Sequence, residues 1–257
     1  MAVYLGNKMV SFKSGYVGTS FKEFLTLGGK FRNTGYIDLT KVLHFSDTEN
    51  VTTMTEMFKA CKNLTALPSL DTSKVIDMSN MFEGCDNLLE VPMLNTSNVT
   101  LMVSMFWVCS KITTIPQFDT TNVTNMNSMF KQCSNLVTVP LLNTTNVTNM
   151  VDMFRGCTNL KVIPAFDTSN VTKFAALYSG KGIFDGCTSL EEIHMIGMKE
   201  SFNISASTKF TRDALVEILN NLGTVTSTKT LTMGTDNLNK LTEEDKLIAT
   251  NKGWTLK

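Results

Sequence analysis

Apolar residues recur along the middle of the chain in a fixed order. In "DTTNVTNMNSMFKQCSNLVTVP", Asp119 to Pro140, the inward candidates are Val123, Met126, Met129, Phe130 and Cys133. At about 100° per residue these five fall on one arc of roughly 120°. Such an arc predicts an amphipathic helix with one buried face. Thr121 or Asn122 supplies an N-cap type before it. Gly84, Gly156 and Gly186 sit beside the cysteine of their units, where a helix would end. The second half, "NLVTVP", is too short for another helix and rich in β-branched residues. It predicts a short strand ending at proline, which cannot donate to a ladder.

The same text returns as "NTTNVTNMVDMFRGCTNLKVIP" from Asn143, 24 residues on. All six cysteines (Cys61, Cys85, Cys109, Cys133, Cys157 and Cys187) hold one repeat position, with four steps of 24 residues and a last step of 30. The longer step carries a six-residue insertion around "AALYSGKG". All five prolines (Pro68, Pro92, Pro116, Pro140 and Pro164) hold a second position. Phe58, Phe82, Phe106, Phe130, Phe154 and Phe184 hold a third, and Val51, Val75, Val99, Val123, Val147 and Val171 a fourth. One helix and one short strand per 24-residue unit predicts an α/β repeat solenoid, whose units bury their apolar arcs by stacking on one another.

The recurring Asn-Val-Thr, Met-Phe, Cys and Leu-x-x-Val-Pro elements resemble the BspA-type leucine-rich repeat over residues 45–197, six units. The resemblance implies a bacterial surface protein that adheres to host proteins, other cells or matrix. Similar repeats occur in phage tail and fibre proteins. It implies no catalytic residues.

Flanking segments are expected to close the solenoid. Residues 1–44 alternate short apolar runs with glycine and predict a β-rich N-terminal cap, in which residues 1–36 could attach the chain to other virion proteins. "IDLTKVLHF", Ile37 to Phe45, reads as a degenerate half-unit. Residues 198–257 predict an α/β C-terminal cap. Its expected elements are a helix capped by Thr211 and stopped by Gly223, a strand at "KTLTM", a helix with a Thr242/Asp245 capping box and Gly253 as stop, and a last strand over Trp254 to Leu256.

Charge and composition narrow the function. Twenty-three basic residues balance 23 acidic ones in 257. That argues against phosphate-driven nucleic-acid binding and against a polybasic membrane anchor. No stretch has the length of a signal peptide or a spanning helix, so the expectation is a soluble chain with no membrane insertion, acting outside a cell as a virion component or on a bacterial surface.

The cysteines invite zinc or disulfides. Zinc prefers close ligand pairs, and a thiol in an apolar arc behaves as a small hydrophobe, so free buried thiols and no metal are expected. The Asn-Val-Thr triplets at Asn50, Asn98, Asn122, Asn146 and Asn170 match a glycosylation pattern. Capping of backbone groups at a turn is the stronger reading. The ladder of Asp47, Asp71, Asn95, Asp119, Asn143 and Asp167 offers one group per unit, which suits side-chain-to-backbone turns better than calcium. The histidines are His44 and His194, and no nucleophile–base order, phosphate loop or paired carboxylates appear. The expectation is a non-enzyme without cofactor.

Departures from the repeat mark candidate ligand positions. Trp107 stands where Lys59, Glu83, Lys131 and Arg155 stand, and Leu101 where Thr53, Asp77, Asn125 and Asn149 stand. With Val103 and Val108 they lie off the apolar arc and are expected to face solvent as an interaction patch. The second candidate is the sheet face, with Leu89, Met93, Thr113, Gln117, Val137, Leu141 and Lys161. A mixed surface without a basic stripe suits a cell-surface protein or glycan. The expected function is a binding module, adhesin or phage tail receptor-binding component. The alternatives are a structural spacer in a phage particle and, third, a wall hydrolase, for which paired carboxylates are missing.

Overall fold

The computed structural model describes residues 3–5, 8–10, 29–30, 48–67, 70–175 and 182–257. The N-terminal segment is described as three short strands, β1 (Val3–Leu5), β2 (Lys8–Val10) and β3 (Gly29–Lys30), in antiparallel order β2-β1-β3. The half-unit at Ile37 to Phe45, His44, Asp47 and most of the "AALYSGKG" insertion lie outside the described residues.

The chain winds as a solenoid, but the expected helices are absent. Among the described residues of the repeats no α-helix occurs. A parallel ladder runs through Thr53, Asp77, Leu101, Asn125, Asn149 and Lys173, each bridged to the next. The six residues that begin two positions after each rung from Thr53 to Asn149, such as 127–132 after Asn125, form consecutive turns, and their backbone bonds alternate. Phe58 N–H donates to Met81 O, Phe82 to Met105, Phe106 to Met129 and Phe130 to Met153, all 2.9 Å and one unit ahead. Between them, Met57, Lys59 and Cys61 donate three residues back within their own unit. A helix would send every one of these N–H groups four residues back.

This ribbon needs left-handed residues at two positions per unit. Positive φ occurs at Glu56 and Ala60, Asn80 and Gly84, Ser104 and Val108, Ser128 and Gln132, Asp152 and Gly156, and again at Gly186. The physical reason for the ribbon is spacing. Neighbouring strands lie about 4.8 Å apart, whereas packed helices need about 8–10 Å. A turn ribbon keeps the ladder spacing around the coil. The apolar arc is still inward: Val123, Met126, Met129, Phe130 and Cys133 are all fully buried.

The tight spacing stacks like on like. Phe58, Phe82, Phe106, Phe130, Phe154 and Phe184 form one column, with successive centroids 5.7, 5.5, 5.8, 5.7 and 6.2 Å apart and planes within 12°. Phe118 and Phe166 flank it. All six cysteines are buried free thiols. Cys85, Cys109, Cys133, Cys157 and Cys187 each place Sγ 2.9–3.1 Å from the carbonyl of the preceding unit's phenylalanine. Burial raises these thiols well above their ordinary value, that of Cys187 to about 12.

Polar side chains join the units in the same repetitive way. The buried hydroxyls of Thr72, Thr96, Thr120, Thr144 and Thr168 each donate at 2.8 Å to a carbonyl of the next unit. Asn98, Asn122, Asn146 and Asn170 donate from Nδ2 to a carbonyl of the preceding unit at 2.7–2.8 Å. The Asp/Asn ladder makes side-chain turns: Asp71, Asn95, Asp119, Asn143 and Asp167 accept from the N–H two residues on. Hydroxyl and then backbone bonds from Ser73 and Ser169, and backbone and then hydroxyl bonds from Thr121, hold the carboxyls of Asp71, Asp167 and Asp119 below their ordinary value.

The expected strand at "NLVTVP" is reduced to β4 (Val162–Ile163) and β5 (Glu192–Ile193), paired in parallel, with a single bridge at Thr138 before them. Beyond them, β6 (Phe202–Asn203), β7 (Lys229–Thr232) and β8 (Trp254–Leu256) form a parallel sheet in that order. Helices α1 (Arg212–Asn221), α2 (Thr235–Leu238) and α3 (Glu243–Thr250) lie between them. Thr211 caps α1 through Ala214 N, and Thr242 with Asp245 makes both bonds of a capping box on α3. Arg212 grips Asp245 with two bonds, tying α1 to α3. Phe202 meets Phe184 edge-on at 6.3 Å and Trp254 meets Phe202 at 5.9 Å, so aromatic packing continues past the last repeat.

Two outcomes are expected. At pH 8 the thiols of the native protein should resist a disulfide reagent, and all six should react after unfolding. Rapid native labelling of Cys109 or Cys133 would contradict the burial. Val108 holds φ +62°, a conformation that costs a β-branched residue about 1–3 kcal/mol. Glycine gives back about 0.5–1 kcal/mol through unfolded-chain entropy. Removing the half-buried valine side chain forfeits about another 1 kcal/mol, so Val108→Gly should leave the unfolding free energy within about 1 kcal/mol of wild type, where a valine free of strain would lose more, read from the denaturant midpoint.

Candidate functional site

With backbone groups, hydroxyls and carboxamides engaged between units, the side chains free to meet a ligand are those pointing out of the ladder. On the sheet face, Leu88, Ile112, Leu136 and Leu160 point inward and are buried. Their successors Leu89, Thr113, Val137 and Lys161 point outward and are exposed. Leu89 N–H donates to Thr65 O, Val137 to Thr113 O and Lys161 to Val137 O, at 2.9–3.1 Å, which holds Thr113, Val137 and Lys161 in register. Past the proline, Leu94, Phe118 and Leu142 are buried, and Met93, Gln117 and Leu141 are exposed. Gln117 Nε2 donates to Leu141 O at 2.9 Å, joining neighbours of this second row.

The two rows place four large apolar groups on one face: Leu89 at 54%, Met93 at 68%, Val137 at 38% and Leu141 at 58% exposure. Thr113 and Gln117 separate the pairs, so apolar and polar positions alternate along the ladder at about 4.8 Å per unit. The first row ends in a charged pair, Lys161 with Glu191 at 3.5 Å.

The Trp107 patch is not the solvent-facing surface expected. Trp107 is half-buried and lies across the next unit. Its Nε1 donates to Gln132 Oε1 at 3.0 Å, and Lys131 Nζ sits 5.1 Å from the ring centroid. Lys131 also pairs with buried Asp152 at 2.7 Å, which Arg155 meets at 3.2 Å. Leu101 is half-buried inside the ladder, bridged to Asp77 and Asn125. Asp77, Asn125 and Asn149 accept the N–H two residues on, a bond that Leu101 has no side-chain acceptor to make. Val103 and Val108 are half-buried as well. The reason is the turn ribbon: positions that a helix would turn to solvent lie against the neighbouring coil.

Gln132, Lys131 and Asp152 were not singled out by the sequence, nor was exposed Ile76. Gln132 occupies the position of Gly84 and Gly156, and that departure was the available signal. Among the described residues no three His, Cys, Asp or Glu are grouped to hold a metal. No helix among them is long and apolar enough to cross a membrane.

A sequence profile described as "Mycoplasma protein of unknown function, DUF285" matches residues 26–139, 85–191, 111–216 and 137–240. Among solved structures, the crystal structure of the T. pallidum leucine-rich repeat protein (TpLRR) is similar, with a TM-score of 0.46 and 18% identity over 79% of this chain and 77% of that chain. No curated protein matches. The overlapping profile matches run together from residue 26 to residue 240, and the chain belongs to the DUF285 family of BspA-like repeat proteins.

Proposed function

We propose that this chain is a non-enzymatic binding module whose sheet face recognises a protein or glycan on a cell surface, as an adhesin or as a phage tail component. The observation that carries the reading is the exposure of Leu89, Met93, Val137 and Leu141 on one face of a scaffold whose described Met, Phe and Cys repeat positions are buried. Apolar area left in water forgoes about 25 cal/mol per Å². A partner that covers these groups recovers it. The alternating threonine and glutamine supply hydrogen bonds between apolar anchors, a mixture suited to protein or sugar.

Chemistry on this scaffold has little to work with. The thiols are buried and held protonated, and His194 is held between two glutamates. The repeated carboxylates accept backbone bonds in turns.

The test is saturable binding of labelled protein to intact bacterial and mammalian cells. A Met93→Ser/Leu141→Ser double variant should bind at least about tenfold more weakly, as losing two anchors implies, with an unchanged thermal midpoint because both side chains are exposed. Trp107→Ser should lose stability rather than binding alone, since Trp107 packs on the next unit. Equal binding by the double variant would remove the sheet face from the reading. No saturable binding to either cell type would favour a spacer or assembly role.

A further inference from the structure

The last repeat departs from the others at the proline position. Where Pro92, Pro116, Pro140 and Pro164 stand in their units, the sixth has His194. It is also the unit whose next neighbour is α1 of the C-terminal segment, which packs against β5. His194 N–H donates to Ile163 O at 2.9 Å, keeping the residue in the ladder. Its ring reaches outward between two carboxylates: Nδ1 lies 2.6 Å from Glu217 Oε1 on α1, and Nε2 lies 2.9 Å from Glu192 Oε2 on β5.

We propose that His194 is a pH-sensitive latch that fastens α1, and with it the C-terminal segment, to the last repeat. The argument is one of proton count. A carboxylate is an acceptor only, and a neutral imidazole carries one N–H. Two carboxylates facing the two ring nitrogens are both satisfied only by the imidazolium. When the ring is neutral, one nitrogen lone pair faces a carboxylate oxygen and one of the two bonds is lost. Bonds to the charged ring hold together two elements far apart in sequence, Glu192 and Glu217.

The surrounding charges do not compensate for a neutral ring. Glu217 from α1 and Glu192 from β5 face the imidazole. From β4 the backbone carbonyl of Ile163 accepts the His194 N–H. Beside β4, Lys161 is engaged with Glu191. On the preceding turn of α1, Asp213 lies 4.0 Å from Arg212. The hydrogen bond to Glu217 is the largest effect and raises the ring above its ordinary 6.5; burial, the next largest, opposes it, and the bond to Glu192 adds to the rise. The sign follows from that direction. Stabilisation is complete below 6.5, where the ring is charged in both folded and unfolded chains, and is lost as pH rises through the higher folded value.

The test pairs a ¹⁵N titration of the imidazole in the full chain with amide hydrogen exchange of α1 between pH 5.5 and 8.5, corrected for intrinsic rates. The His194 signal is assigned by its absence in His194→Gln. Expected results are titration above 6.5, a return toward 6.5 in Glu217→Gln, and protection of α1 that falls about two- to fivefold across the titration, the range of an exposed ion pair. In His194→Gln that step in protection should vanish. Titration at or below 6.5, or the same step in wild type and His194→Gln, would overturn the latch.

Discussion

The hydrogen bonds from the N–H of Phe58, Phe82, Phe106 and Phe130 to the methionine carbonyl one unit ahead are the constraint from which the rest of this molecule follows. They hold neighbouring turn ribbons at the spacing of a β-ladder. At that spacing the phenylalanine rings fall into one column, near-parallel and under 6 Å apart through most of its length. Offset aromatic pairs of this kind contribute about 0.5–1.5 kcal/mol each beyond area burial. The cysteine thiol, too small to disturb the column, meets the phenylalanine carbonyl of the preceding unit. Each of these interactions joins one unit to its neighbour, so stability accumulates along the chain rather than inside a unit.

A scaffold bound in this way separates structural from free side chains. Threonine hydroxyls, asparagine amides and aspartate carboxylates, which look like a chemically rich surface in the sequence, are committed to backbone groups of the same or an adjacent coil. The positions left over are the outward rows of the sheet face, and their substitutions do not disturb the ladder. That division lets repeats vary where a partner would touch them and remain constant where they touch each other. The same logic makes the ends distinctive. At the last repeat the proline gives way to His194, because what packs there is a helix carrying Glu217 and not another coil.

Much of this was legible in the sequence. The 24-residue step, the inward residues and the role of the Asp/Asn ladder as turns could be read from spacing and residue type. The N-caps of α1 and α3 could be read from Thr211 and Thr242. The helix per unit could not be excluded from hydrophobic spacing alone, because Val123, Met126, Met129, Phe130 and Cys133 are inward in a helix and in the turn ribbon alike. The discriminating signal lay in other residues. Asn80 with Gly84 and Asp152 with Gly156 recur four apart, and Asn, Asp and Gly tolerate positive φ. Reading Gly84 and Gly156 as helix stops captured their left-handed conformation and missed its partner four residues earlier. The same error placed Trp107 and Leu101 in solvent. In a ribbon at ladder spacing, Trp107 reaches Gln132 and Lys131 of the next unit, and Leu101 becomes a rung.

The measurement that tests the account most directly is the scalar coupling across the hydrogen bond of the Phe130 amide in isotopically labelled protein. The account predicts a coupling from Phe130 N–H to the carbonyl of Met153, 23 residues ahead and 2.9 Å away. A coupling to the carbonyl of Met126, four residues back, would mean that each unit does contain a helix, and would contradict both the ribbon and the phenylalanine column built on it.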